Sequence, residues 1–353
     1  LRDIATLPAL PARRSPWRSR LAGWAGLLVS VPLTFLGLLL VTFVIGRVVP
    51  IDPVLAVVGD RALPETYERV RLELGLDRPI WEQFLIYLDK VLHGDFGTSV
   101  ITSQPVLQDI LRFFPATIEL ATLATLLGIL LGIPAGVMAA VHAGRWPDHL
   151  LRVIGLVGYS APVFWLGLMG LLVFYGELGW VAGPGRLDVF YEDIIPPVTG
   201  LILVDSLIEG DTEIFWNAVS HIILPASILA YYSMAYIGRM TRSLMLGELR
   251  QEYVTTARLK GLPERRVIWR HALRNATVPL VTVIALSYGS LLEGAVLTET
   301  VFAWPGLGRY ITESLFNVDM NAVLGGTIVV GTVFIGLNLL SDLLYRVLDP
   351  RTR

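Results

Sequence analysis

Six segments of this chain, 25–46, 115–141, 152–175, 220–238, 277–297 and 322–345, are each long and apolar enough to cross a bilayer as a helix. A crossing takes about 20 mostly apolar residues. The composition agrees. The chain is 54% hydrophobic and 16% charged, whereas a soluble domain is about 25% charged. The expected fold class is an all-α integral membrane protein with six transmembrane helices. The run 198–208 is too short to cross, and is expected at the interface or packed on protein. The run from Ala25 to Ile45 follows Arg13, Arg14, Arg18 and Arg20. It exceeds the roughly 7–15 residues of a signal-peptide core, and no Ala-x-Ala site ends it. It is read as the first span.

Charge orients the spans. Arg2, Arg13, Arg14, Arg18 and Arg20 precede the first, and Arg145 lies in the short loop 142–151. The loop 239–274 holds eight arginines and Lys260, and the end of the chain carries Arg346, Arg351 and Arg353. The loop 176–219 has only Arg186 against eight acidic residues. Basic loops remain in the cytoplasm, so both termini are expected inside. Segment 47–114 then lies outside. Within it, Ile80, Trp81, Phe84, Leu85, Leu88 and Leu92 recur at helical spacing before Gly94. The expected organisation is a cytoplasmic tail (1–24), a first span (25–46), an extracytoplasmic segment (47–114) and a core domain (115–353) holding five spans.

Several chemistries lack their residues. The chain has no cysteine, so thiolate metal sites, disulfides and cysteine nucleophiles are excluded. Neither lysine, Lys90 or Lys260, follows a glycine, so no phosphate-binding Gly-Lys-Ser/Thr loop exists. The five histidines are scattered, and the spans hold almost no aspartate or histidine beyond Asp342 and His221 near their ends. Catalysis by this chain alone is not expected, nor is a metal site. The net charge of −2 gives no bulk attraction to nucleic acid.

The basic loop 248–275 is the richest signal. A helix is expected over 248–260, with Glu248 and Glu252 early and Arg258 and Lys260 late, as the helix dipole favours. Gly261 is placed to cap it in the left-handed conformation. Pro263 is placed to open a second short helix, so that two helices lie at an angle along the membrane surface. Membrane lipid is one partner such a basic surface would hold.

Tyr253-Val-Thr-Thr-Ala257-Arg-Leu-Lys-Gly261, continuing through His271-Ala-Leu-Arg-Asn275 to Pro279, resembles the EAA loop of ABC-transporter permeases. The nearest likeness is to the binding-protein-dependent dipeptide, oligopeptide and nickel group. Further motifs agree in order: Gly-Leu-Asp-Arg-Pro-Ile at 75–80, Gly-Asp-Phe-Gly-Thr-Ser at 94–99 and Pro-Ala-Thr-Ile-Glu-Leu at 115–120. Glu-Thr-Val-Phe-Ala-Trp-Pro-Gly-Leu-Gly at 299–308 follows, then Asn338 and Leu-Asp-Pro-Arg at 348–351. The resemblance covers roughly 25–353.

It implies a type I importer permease in a bacterial inner membrane, paired with a second homologous permease subunit. Two cytoplasmic ATPase subunits would carry the ATP and Mg, and this chain would hold no cofactor. An extracytoplasmic binding protein would deliver the solute, short peptides in much of the family. Relatives carry nickel chelates, opines, glutathione-like compounds or oligosaccharides, and these remain alternatives. The implied ATPase-docking positions are Thr255, Thr256, Ala257, Arg258 and Gly261. Thr255-Thr256-Ala257 stands where the general pattern has Glu-Ala-Ala.

Charges inside spans are functional candidates because they are costly there. Glu119 and Glu293 are the two that stand out. Each is a candidate for the translocation pathway, with hydrogen bonding between helices as the alternative. Trp304, Pro305 and Gly306 are candidates for an outer gate or binding-protein contact, with a rigid turn as the alternative. Pro134, Pro162, Pro225 and Pro279 are candidate bends. A self-sufficient secondary transporter would show an internal repeat and a central ionisable cluster, and neither is found.

Overall fold

The computed structural model describes residues 16–48, 53–58, 63–73, 75–192 and 194–348. Arg2, Arg13, Arg14, Arg351 and Arg353 lie outside them. Among the described residues the chain is helical with no named strand, and an isolated antiparallel bridge pairs Thr98 with Pro105.

Among the described residues, five helices are long and apolar enough to cross a membrane: α1 (Pro16–Val48), α5 (Val106–Val141), α9 (Thr212–Glu248), α12 (Leu273–Val301) and α14 (Met320–Leu348). The expected third span, 152–175, is not one straight helix. It is α6 (Trp146–Ser160) and α7 (Val163–Gly170), bent by 95° where Ala161 and Pro162 are both extended. The residue before a proline is pushed out of the helical region, which places the break here. A wide π-helical turn, Leu171–Glu177, continues α7. Pro134, Pro225 and Pro279 lie inside unbroken helices.

The core is the α5–α9 pair with α12 laid against both. Its tightness comes from Gly128, Gly132 and Gly136, one residue per turn on one face of α5. A Cβ on Gly132 would stand 3.1 Å from the Met234 carbonyl and 3.2 Å from the Gly238 nitrogen. Small residues at this spacing let helix backbones touch, which gives packing in a medium that supplies no hydrophobic drive. Around this contact a buried cluster gathers Ala124, Ala226, Leu229, Leu291, Ala295 and Trp304.

The smaller helices are α2 (Pro53–Val58), α3 (Pro64–Glu73), α4 (Ile80–Leu92), α8 (Ile202–Glu209), α10 (Glu252–Leu259), α11 (Glu264–Arg266) and α13 (Leu307–Phe316). α8 accounts for the short run 198–208. It packs on α9 and ends at Gly210, φ +78°. α4 packs on α1, where Tyr87 hydrogen-bonds Thr42 at 2.9 Å and Phe43 meets Phe84 edge-on. The chain after α4 is tied to the start of α14. The buried Asp319 carboxylate accepts from Ser99 Oγ at 2.6 Å and the Val100 nitrogen at 2.7 Å. α1 lies at the edge, against α14 and α4, with Leu33, Leu36, Leu40 and Val44 exposed.

Candidate coupling and translocation surfaces

At one end of the bundle the basic loop folds into a supported platform. α9 runs on through Glu248, so the expected single helix 248–260 is two elements separated by a turn at 249–251. The Tyr253 hydroxyl donates to the Glu248 carboxylate at 2.5 Å across that turn. Burial, then this bond, pushes the phenol up to about 12, so it remains a donor at neutral pH. Gly261 takes φ +75°, the left-handed cap. Pro263 is the N-cap of α11 rather than its first residue. The helix after it is no separate surface helix, because α11 passes through a π-helical turn, Val267–Ala272, straight into α12. Arg258 and Glu264 clasp across the Gly261 turn at 2.6 Å.

One face of α10 is buried and the other is free. Val254 and Ala257 pack against Val137 and Ala140 of α5, Met245 of α9, and Val267, Ile268 and Ala272 leading into α12. Thr255, Thr256, Arg258 and Gly261 are exposed. Ala257, a docking position implied by resemblance, points into the chain's own core. Leu259 is 84% exposed at the end of the free face. The sequence gives no warning of it, since a leucine beside a buried alanine reads equally well as core.

At the opposite end of the bundle, Glu119 is buried. Its carboxylate accepts from the Arg186 guanidinium at 2.5 and 3.1 Å and from the Leu203 nitrogen at 2.8 Å. Arg186 also donates to the Gly200 carbonyl and lies 5.8 Å over the Trp304 ring. Together these contacts fasten the loop after α7 to α5. Trp304 is fully buried, its indole donating to the Ala116 carbonyl at 3.0 Å. Gly306 is buried and Pro305 half-buried.

Glu299 underlies this turn. Fully buried, it accepts from Thr117 Oγ1 at 2.6 Å and from the Arg309 nitrogen at 2.9 Å. A Cβ on Gly306 would collide with its carboxylate. Acid at 299 is plain in the sequence. What marks it is its spacing to Gly306 and Gly308, the two residues small enough to pack on it.

Glu293 differs from both. It is exposed, and among the described residues its carboxylate makes no hydrogen bond or ion pair. It lies about 12 Å below the end of α12 at 1.5 Å rise per residue. Leu286, Ser290, Gly294, Leu297 and Thr300 are exposed on the same arc of that helix. Turned to hydrocarbon, the carboxylate would cost about 2.5–3.5 kcal/mol. One flank of the arc opens on a mostly apolar cavity of about 120 Å³, bordered by Phe114, Leu292, Val296 and Phe334.

Helices in this order and packing form a type I importer permease fold. The fold matches the MetNI methionine ABC transporter, solved in inward-facing conformations, at a TM-score of 0.52 and 18% identity. The match covers 70% of this chain and 100% of that one. Residues 132–353 match the model for binding-protein-dependent transport system inner membrane components, and 27–121 match its N-terminal companion. The chain belongs to this family, as a multi-pass protein of the inner membrane.

Among its relatives is the probable D,D-dipeptide transport system permease protein DdpB of Escherichia coli K12. It is 46% identical, over 89% of this chain and 92% of that protein. The dipeptide transport system permease protein DppB of the same organism is also 46% identical, over 91% and 95%. The di/tripeptide transport system permease protein DppB of Pseudomonas aeruginosa is 43% identical, over 93% and 96%.

Proposed function

We propose that this chain forms half of the membrane path of an ATP-driven importer of short peptides. The observation that carries the reading is α10. It holds Thr255, Thr256, Arg258 and Leu259 exposed while Val254 and Ala257 lock it to the ends of α5, α9 and α12. A load on that face passes into three spans at once. A platform built this way suits a cytoplasmic ATPase better than lipid, because its free face combines hydroxyls with a lone exposed leucine. Two ATPase subunits carry the ATP and Mg, a second homologous permease completes the path, and a binding protein delivers the solute outside. The peptide relatives supply the substrate class.

Substitution of Leu259 tests the platform. Leu259→Asp puts a charge where an apolar contact is expected and touches nothing in the chain's own core. Thermal stability should be unchanged, while the ATPase subunits should no longer co-purify. ATP-driven uptake from dipeptide-loaded binding protein into proteoliposomes should fall at least roughly tenfold, the scale of losing one well-packed interface residue. Normal co-purification and uptake would sink the assignment.

A further inference from the structure

We infer that Glu293 is a recognition residue for the solute's ammonium group, so that the membrane path itself selects for a free amino terminus. The inference rests on the peptide reading above and deepens it. Three environments are open to an exposed carboxylate at this depth: lipid, a partner subunit, or a water-filled path. Lipid is disfavoured, since the charged carboxylate costs about 2.5–3.5 kcal/mol there. The arc around Glu293 then speaks for the path. Between the exposed Leu286 and Leu297, Ser290 offers a hydroxyl, the Thr300 hydroxyl donates to the Val296 carbonyl and keeps its acceptor side, and Gly294 leaves open space beside the carboxylate, since a Cβ there would meet nothing within 4 Å.

The two buried glutamates are already committed. Glu119 is neutralised by Arg186, and Glu299 is enclosed by Thr117 and the turn at 304–309. Glu293 is thus the carboxylate of this group that retains its bonding capacity for something outside the chain. A dipeptide presents a matching pattern: one ammonium at its amino terminus and, on the same α-carbon, a side chain that is often apolar. The cavity bordered by Leu292 and Val296 lies next to Glu293 on the same helix. An ammonium on Glu293 sets the first side chain against that cavity, whatever its identity. This gives affinity for peptides as a class without choosing a sequence.

The test separates this site from the binding protein. Saturation-transfer NMR on the purified permease–ATPase complex, without binding protein, would use a dipeptide and its des-amino analogue, in which hydrogen replaces the ammonium. The wild-type complex should prefer the dipeptide by roughly tenfold, the scale of one partly wetted ion pair. In Glu293→Gln the two should bind alike, and Glu293→Asp should keep the preference. Persistence of the preference in Glu293→Gln would overturn the inference, as would wild-type binding of neither compound despite normal uptake. Failure of Glu293→Gln to assemble, with Glu293→Asp assembling, would place the carboxylate in a subunit interface and also overturn it. If the loaded binding protein supports no peptide uptake by the wild-type complex, the peptide reading itself fails.

Discussion

Removing either member of the Glu119–Arg186 pair strands the other in a site with little water. Losses on breaking such a pair are about 3–5 kcal/mol, whereas replacing both partners with apolar groups is often neutral. Glu119→Leu and Arg186→Met should each lower the unfolding temperature in detergent, and the double variant should recover most of the loss. Additive losses would show that the pair is not the unit. Two glycines make a second contrast. Gly261→Ala meets nothing and has only the left-handed φ to bear, about 1–2 kcal/mol. Gly306→Ala drives a methyl into the Glu299 carboxylate, which Thr117 and Arg309 hold in place. Its cost should be about 3 kcal/mol or more, seen as a larger fall in unfolding temperature than for Gly261→Ala. The cap at Gly261 is legible in the sequence because the residue and its neighbours carry the signal. The partner of Glu119 is not, because it lies 67 residues away in a loop.

Among elements, α5 and α9 depend most on one repeated feature. Gly132→Val would press a branched side chain into the Met234 carbonyl and the Gly238 nitrogen. Overpacking of this kind costs about 1–3 kcal/mol. The expected result is a lower unfolding temperature together with a greater distance between spin labels on α5 and α9. An unchanged distance would mean that the close approach is not set by glycine. The spacing at 128, 132 and 136 is readable in the sequence, but a glycine stripe says only that something approaches closely, not what. α10 shows the same limit. Its helical nature follows from Glu252 early and Arg258 late. Which of Ala257 and Leu259 faces inward depends on α5 and α9, and no local pattern contains that. The bend in the third span is half-legible: Pro162 marks the place, while no local pattern gives the 95°.

For the molecule as a whole, the fold follows from apolar runs, since lipid allows a single open chain few ways to satisfy its backbone except as helices. The proposed functional surfaces follow less directly. Among the described residues, the exposed face of α10 and the arc of α12 around Glu293 are left largely uncovered, and a sequence does not display what is missing beside it. The glycine contact between α5 and α9 has a mechanical consequence. Two rods whose backbones meet at three successive turns cannot slide or splay without unmaking all three contacts together. They behave as a single strut, with α10 mounted at one end and the Glu119–Arg186 fastening at the other. Under the proposed docking role, force entering at Thr255 would be carried along this strut rather than absorbed along the way. Compliance must lie in joints outside the strut, at the kink between α6 and α7 and at the short turn that hangs α10 from α9.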